Sequence, residues 1–506
     1  MRTDLSRLRN PIITRQALLA SVFLIALAIR LFNIGDPPLD FHPTRQYRSL
    51  VISRGYYYQS QASIPEWKRE VARINMEKQG ILEPPVMELI VSNAYRIAGG
   101  ENFWVSRAFT TLFWLVGGVL LYRIARRIAD PFAALFAVAF YLLLPFSVAA
   151  SRSFQPDPLM IMLLLAGIFA VLRYDEGPSI PRLAVAVFLA AAAIFVKPVS
   201  SFAIYTVFIS LSLYRHGLMK AITHPRFLLF FPVTLLPSLL FYVYGILNTQ
   251  VMLAQTQTSF LPGLLIDPFY WRGWLTNINT VVGYPSFLLA LLGVLLFRSG
   301  QPRVFVVGWW AGYVLFCLVF NYHIATHDYY HLQLVPLVGL SLGPLASLVA
   351  HRLLDANPAW YERAGIAAIL LAGLALTLYS GLSRLASHGS ETEVRVAEEV
   401  GADVDHSTRT VYLDSDYGLS LEYHGELSGV PWPLLSDLEW ERLARMPVFE
   451  AGERFETDFA ADQPDYFIVM DMYEYEQQAD LKGFLTQNYS VLAQNDNYLI
   501  FDLQGR

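Results

Sequence analysis

The 506-residue chain is 55% hydrophobic and only 16% charged, with a mean hydropathy of +0.39, whereas soluble domains hold about 25% charged residues; an ordinary soluble enzyme is excluded. The net charge of −5 is unevenly spread, because residues 386–506 carry 25 Asp+Glu against 7 Lys+Arg and leave 17 acidic and 30 basic residues before them. A basic, apolar portion is thus followed by an acidic tail, whose charge argues against nucleic acid or anionic headgroups as its partners.

In chain order, Arg2, Arg7, Arg9 and Arg15 precede an apolar run over 17–34. That pattern suits either a secretory signal or a retained first helix with its basic end in the cytoplasm. The many apolar runs that follow favour the retained helix. About eleven spans of membrane-crossing character are expected, at 17–34, 103–123, 131–149, 158–174, 182–197, 200–214, 227–247, 284–297, 303–320, 332–350 and 364–382. Basic residues collect in alternate connections, as in Arg123-Ile-Ala-Arg126-Arg127, Arg215 to Arg226 and Arg352 to Arg363. By the positive-inside rule these lie in the cytoplasm. The opposite, non-cytoplasmic side then receives 35–102, 150–157, 197–199, 248–283, 321–331 and everything after 383. The single cysteine, Cys317, falls inside an apolar run and forms no intrachain disulfide.

The first external segment mixes aromatic and basic residues over 44–62 and 66–79, and 84–98 is apolar behind Pro84-Pro85. Helices lying at the interface are the natural reading; a short true span over 84–98 would reverse every later loop and break the charge rule. In the tail, 409–413, 466–470 and 498–502 read as strands and 433–446 and 474–487 as helices. The expected architecture is an all-α polytopic membrane domain over 1–385 with a small α/β soluble domain over 386–506.

Ionisable residues at the ends of membrane helices are costly without a partner or water, so they carry the first functional hypotheses. Asp40, in Pro37-Pro38-Leu39-Asp40-Phe41-His42-Pro43-Thr44-Arg45-Gln46-Tyr47, can serve as a general base on a hydroxyl, and Arg45 suits bidentate phosphate binding. The plainer alternative is that Asp40 caps the following helix. Asp157, between Pro156 and Pro158, suits both a helix start and a site. Lys197, in Val-Lys197-Pro198, is a compact cation that attracts a lipid phosphate, unless it merely snorkels. His323, His327, Asp328, Tyr329, Tyr330 and His331 cluster in one loop; they suit a sugar-binding wall, a divalent metal, or simple interfacial aromatics. Glu83, before Pro84-Pro85, is a further carboxylate on the same side.

The order of these motifs resembles the GT-C glycosyltransferases. A post-first-span Asp is followed by a Pro-Pro segment, a Trp-Val-Ser-Arg107-Ala run, Arg126-Arg127, a Ser151-Arg152 to Asp157 turn, Val-Lys197-Pro and a late His327-Asp328-Tyr329-Tyr330 before Leu-Val-Pro. Over roughly 15–350 the chain is similar to the branch with protein O-mannosyltransferases and lipid A aminoarabinose transferases. That resemblance implies a polyprenyl-monophosphate sugar donor, with Asp40 as catalytic carboxylate, Asp157 as a second acid and Lys197 as a donor-phosphate contact. It also implies that His327, Asp328 and Tyr330 line the pocket. Two departures stand out. Relatives often have Asp-Glu where this chain has Asp40-Phe41-His42, so His42 can share the base role. The aminoarabinose transferases have Glu-Lys where this chain has Leu82-Glu83.

The expected reaction is an inverting displacement onto an acceptor hydroxyl of a lipid, glycan or protein. Asp40 acts as base, helped by His42 and Asp157; Lys197, Arg45 and Gln46 hold the phosphate; Glu83, His327, Asp328, Tyr329 and Tyr330 form the pocket. A transporter or flippase of lipid-linked sugars is the first alternative class, although no internal repeat or midplane charge points to it. The second is a polymerase or ligase acting on lipid-diphosphate oligosaccharides, which needs more basic residues for a second phosphate.

Overall fold

The computed structural model describes residues 11–80, 82–249, 252, 259–356, 358–386, 390–443 and 447–505. Arg2, Arg7, Arg9 and the end of the expected helix 433–446 lie outside the described residues. The described part forms two compact units.

The first unit comprises the described residues of Met1–Ile34, Ile81–Val86 and Ser106–Ser387. Every expected span is helical, from Pro11–Leu31 through Phe103–Ile128, Asp157–Glu176, Ile180–Val196, Ser200–His216, Pro225–Asn248, Tyr284–Val294, Gln301–Val319 and Leu334–Asp355 to Trp360–Ala386. Six described helices are individually long and apolar enough to cross a bilayer, and up to eight spans result if two bent pairs each count as one. The chain is a multi-pass membrane protein.

The bends have local causes. Expected span 131–149 breaks into Pro131–Leu143 and Pro145–Arg152, 60° apart, because Leu144 precedes Pro145 and takes ψ 127, the extended conformation that a following proline favours. The second pair, Pro268–Val281 and Tyr284–Val294, turns by 90° through Gly283 at φ 77, where a side chain is disfavoured. Its first helix lies within 248–283, read as a loop; at 14 residues it is too short to show against a window of about 20.

Packing between helices relies on small residues, as expected where apolar burial alone does not distinguish protein from lipid. A Cβ at Gly343 would sit 2.7 Å from the Ala133 carbonyl oxygen, and one at Gly339 2.9 Å from that of Ala137. Helices Leu334–Asp355 and Pro131–Leu143 therefore meet backbone to backbone.

Arginines secure the turn that follows the first helix, whose carbonyls have no place in a helical ladder. Arg107 Nη1 donates to the Asn33 and Ile34 carbonyls at 3.0 and 3.2 Å. Arg152 donates to the Phe32 carbonyl and, at 2.8 Å, to that of Asn33. Arg30, fully buried, donates to Ser151 Oγ at 2.7 Å and to the Ala26 carbonyl at 2.9 Å. The Ser-Arg motifs at 106–107 and 151–152 thus hold the turn over 32–34, with their cations near the negative end of the helix dipole.

The second unit comprises the described residues of Gly35–Gly80, Met87–Val105 and His388–Arg506. Its sheet has the order β2-β1-β3-β5-β4, with β1 Thr410–Leu413, β2 Gly429–Pro431, β3 Tyr466–Val469, β4 Ser490–Gln494 and β5 Leu499–Asp502. Strands β2, β1 and β3 run parallel, and β5 pairs antiparallel with both β3 and β4. Alternate residues feed two cores, since side chains on a strand point to opposite faces. Val411, Leu413, Phe467 and Val469 join Trp432, Phe455 and Leu481 on one side. Tyr412, Ile468 and Ile500 join Val396, Val400 and Leu421 on the other. The expected strands are β1, β3 and β5. Strand β2 is only 3 residues long and ends in proline, and β4 lies at the sheet edge with mainly exposed residues, so neither offers a strong strand pattern.

Helices Pro43–Gln59, Glu66–Lys78 and Val86–Ala98 match the three helices expected in the first external segment. Their basic residues have protein partners rather than only the interface. Arg54 lies in a bidentate pair with Glu101, 2.8 Å at its shortest, and its guanidinium carbon lies 3.6 Å from the centroid of the Tyr423 ring. Lys68 pairs with Glu426 at 2.5 Å, and Lys78 donates to the Gly429 carbonyl at 3.0 Å.

The Arg54 and Glu101 side chains are only 11% and 13% exposed, and removing one partner of a buried pair strands the other charge at a cost of about 3–5 kcal/mol. Arg54→Met is therefore expected to lower the thermal midpoint of the purified protein markedly, with partial recovery in Arg54→Met/Glu101→Gln. An unchanged midpoint in the single variant would show that the pair carries no stability.

Candidate functional site

The residues singled out in the sequence fall into two groups, one in each unit. In the first unit, helix Ile180–Val196 ends at Lys197 because Pro198 disfavours helical geometry in the residue before it. The lysine is 3% exposed. Its Nζ lies 2.9 and 3.0 Å from the two carboxylate oxygens of Asp157 and 3.5 Å from Glu83 Oε1. The same nitrogen sits 4.8 Å from the Tyr330 ring centroid and 5.3 Å from that of Tyr329, within cation–π range.

Asp157 opens helix Asp157–Glu176, but its N-cap is Pro156 and no side chain caps it. The carboxylate is directed to Lys197 instead, and its charge still favours the helix N-terminus. Two carboxylates and one ammonium give the cluster a formal charge of −1. A buried arrangement of this kind holds together only while its charges stay paired.

The aromatic wall is built by the short helical turn Asp328–Gln333. Tyr330 stacks on His323 with centroids 4.8 Å apart and planes 5° from parallel, and Tyr329 meets His327 edge-on at 5.4 Å. His327 is half-buried, with Nδ1 2.7 Å from Thr326 Oγ1. Asp328 starts the turn without capping it. His331 serves a different purpose: it is buried between the Tyr313 hydroxyl at 2.8 Å and the Ile324 carbonyl at 3.0 Å. Among the described residues no group of three or more His, Cys, Asp or Glu side chains is arranged to hold a metal ion, so the histidine loop offers no such set.

In the second unit, Asp40 sits in the turn before helix Pro43–Gln59. The N-cap of that helix is His42, at φ 45 and with no side-chain cap, so Asp40 does not cap it. Gln46, fully buried, fixes the turn: its Nε2 lies 3.3 Å from Asp40 Oδ1, 2.7 Å from the Phe41 carbonyl and 3.2 Å from that of Pro38. This places Gln46 as the holder of Asp40. A left-handed non-glycine residue is costly and persists only where its surroundings over-determine it; here three prolines and the Gln46 amide do so. The His42 ring packs edge-on against Phe41 at 4.6 Å. Arg45 is half-buried in the first turn of the helix.

A further pair emerges only in three dimensions. The Tyr47 hydroxyl and His424 Nε2 are 3.0 Å apart. His424 lies in the helical turn Leu421–Gly425 beside Glu422, whose carboxylate accepts from the Tyr412 hydroxyl at 2.9 Å and from Gln79 Nε2 at 3.2 Å. No sequence signal connects positions so far apart. Burial pushes the Glu422 carboxyl up to about 8. Burial, with Arg54 nearby, pushes the His424 imidazole down to about 3.

The two shifts act in different windows. Glu422 keeps its proton in the fold, so its contribution is full below the ordinary value of 4.5 and is lost as pH rises to about 8. His424 stays neutral in the fold, so its contribution is lost as pH falls from 6.5 to about 3. Between 4.5 and 6.5 the opposite slopes offset each other. Between 6.5 and about 8 each pH unit removes up to about 1.4 kcal/mol through Glu422. Glu422→Gln is expected to abolish that alkaline decline in the thermal midpoint; a decline of the same slope would place its source elsewhere.

The fold and one segment of the sequence match known proteins. A family model described as dolichyl-phosphate-mannose-protein mannosyltransferase matches residues 82–242, a range that includes Glu83, Asp157 and Lys197 but not Asp40 or the histidine loop. ArnT from Cupriavidus metallidurans, solved bound to undecaprenyl phosphate, is similar over 99% of this chain and 99% of its own, with a TM-score of 0.59 and 12% identity. The archaeal oligosaccharyltransferase AglB from Archaeoglobus fulgidus, solved with an inhibitory peptide and a dolichol-phosphate, is similar over 94% of this chain and 72% of its own, with a TM-score of 0.57 and 13% identity. No curated protein sequence matches. The resemblance to the GT-C glycosyltransferases is borne out at the level of the fold and of this family segment.

Proposed function

We propose that this multi-pass membrane protein with the fold of the GT-C glycosyltransferases moves a sugar from a polyprenyl-monophosphate carrier to an acceptor hydroxyl at the non-cytoplasmic face of the inner membrane. The observation that carries the reading is the buried Lys197 with Asp157, Glu83, Tyr329 and Tyr330 around it. The lipid phosphates named with ArnT and AglB support the donor class, and the peptide named with AglB supports a protein acceptor beside lipid and glycan ones. In this reading the N-terminus is cytoplasmic, residues 1–385 form the catalytic domain and residues 386–506 an extracytoplasmic domain.

The chemistry needs a base for the acceptor proton and a cation for the leaving phosphate. Asp40 accepts the proton from the hydroxyl, with Gln46 setting the direction of its carboxylate and His42 beside it. The acceptor oxygen bonds to the anomeric carbon as the bond from that carbon to the phosphate oxygen breaks, and the polyprenyl phosphate leaves with the electron pair. Lys197 and Arg45 receive the phosphate charge. Lys197 has three donors, and Glu83 at 3.5 Å is its looser partner; the phosphate takes that place while Asp157 keeps the ammonium oriented. Tyr329, Tyr330, His327 and Asp328 supply ring faces and acceptors for a sugar.

A single displacement inverts the anomeric linkage. Nuclear magnetic resonance of the product should therefore show the configuration opposite to that of the donor, and retention would rule out Asp40 as the base of a one-step transfer.

A further inference from the structure

At the far end of helix Phe103–Ile128 from its aromatic start, a surface groove of about 620 Å³ is lined by Tyr122, Arg123, Arg126, Arg127, Phe169 and Glu176. Arg127 pairs with Glu176, which also accepts from Arg173 at 2.9 Å, and its guanidinium carbon lies 5.6 Å from the Phe169 ring centroid. The one carboxylate of the groove is therefore already engaged. Arg123 and Arg126 are exposed and have no hydrogen bond or ion pair among the described residues. They stand three apart on the helix and so share one face.

Three guanidinium groups against one carboxylate leave the groove cationic, and Tyr122 and Phe169 add two aromatic rings to its lining. The guanidinium fork fits phosphate oxygens in pairs. Basic pockets between membrane helices, at the depth where hydrocarbon gives way to water, suit lipid head groups. Arginines near a helix end also answer the helix dipole, but two of them facing a shaped groove offer more charge than the last turn of carbonyls requires.

We infer that this groove binds the phosphate of an anionic phospholipid through Arg123 and Arg126, with Arg127 held in place by Glu176 and Phe169. The site takes no part in the sugar-transfer reading and stands whether or not that reading holds.

The test uses the full-length protein purified in neutral detergent and examined by native mass spectrometry with phosphatidylglycerol or phosphatidylcholine added. The wild type is expected to retain phosphatidylglycerol preferentially. Arg123→Gln/Arg126→Gln should lower that retention about tenfold or more, since it removes both charged donors to the phosphate. Arg123→Lys/Arg126→Lys should keep part of it, and because these side chains are exposed an unchanged thermal midpoint should show that the variants are folded. Equal retention of both lipids, or no difference between wild type and the glutamine variant, would overturn the inference. Displacement of the lipid by millimolar inorganic phosphate would assign the groove to a free anion and overturn it equally.

Discussion

Asp40→Asn is expected to leave the protein folded and to lower the rate of sugar transfer by about 10²–10⁴, the usual contribution of a positioned general base. The fold should tolerate the change because Asp40 does not cap the helix that follows and because an amide oxygen accepts from Gln46 as a carboxylate does. Only the capacity to take a proton is lost. Gln46→Ala offers a control of a different kind. It keeps the base but releases the turn, so kcat should fall less than in Asp40→Asn while the dependence of rate on acceptor basicity persists. If Asp40→Asn transfers sugar at the normal rate, the base lies elsewhere, with His42 the next residue to replace.

Lys197→Met is expected to have the largest combined effect on folding and activity. The methionine fills similar volume but leaves Asp157 and Glu83 without the ammonium that lies within 3.5 Å of both, and stranding buried carboxylates costs about 3–5 kcal/mol. Lys197→Met/Asp157→Asn/Glu83→Gln removes the stranded charge and should recover most of the thermal midpoint without recovering transfer. That split separates a phosphate-binding role from a purely structural one: if the triple variant regains activity, Lys197 serves only to neutralise its neighbours. Glu83→Gln alone should tighten donor binding, because the phosphate no longer competes with a carboxylate for the ammonium.

Much of the fold was legible because hydrophobic runs and prolines act locally. The apolar segments are helices, and the Asp157 and Lys197 motifs mark the start of one helix and the end of another. Strands β1, β3 and β5 were visible from β-branched and aromatic residues, whereas β2 and β4 were not, one being too short and the other too exposed. The Lys197 cluster was partly legible: Asp157, Lys197, Glu83 and the Tyr329-Tyr330 turn were each singled out, but their pairing is a matter of distance that spacing cannot supply. Two roles were hidden by residue type. Arg107 and Arg152 read as members of motif runs, yet they fix the turn after the first helix through its carbonyls. Gln46 read as a phosphate contact, yet its amide is turned to Asp40 and the adjoining backbone. The link from Tyr47 to His424 was beyond sequence reasoning, since 377 positions separate them.

The most direct measurement follows which labelled lipid the purified protein consumes when offered a polyprenyl-monophosphate sugar, a polyprenyl-diphosphate oligosaccharide, or either one reconstituted in vesicles without an acceptor. We expect the monophosphate sugar to be cleaved only when acceptor is present, with free polyprenyl phosphate released in equal amount and no cleavage by Lys197→Met/Asp157→Asn/Glu83→Gln. Consumption of the diphosphate oligosaccharide, or movement of an intact lipid-linked sugar across the vesicle with no bond broken, would contradict the account.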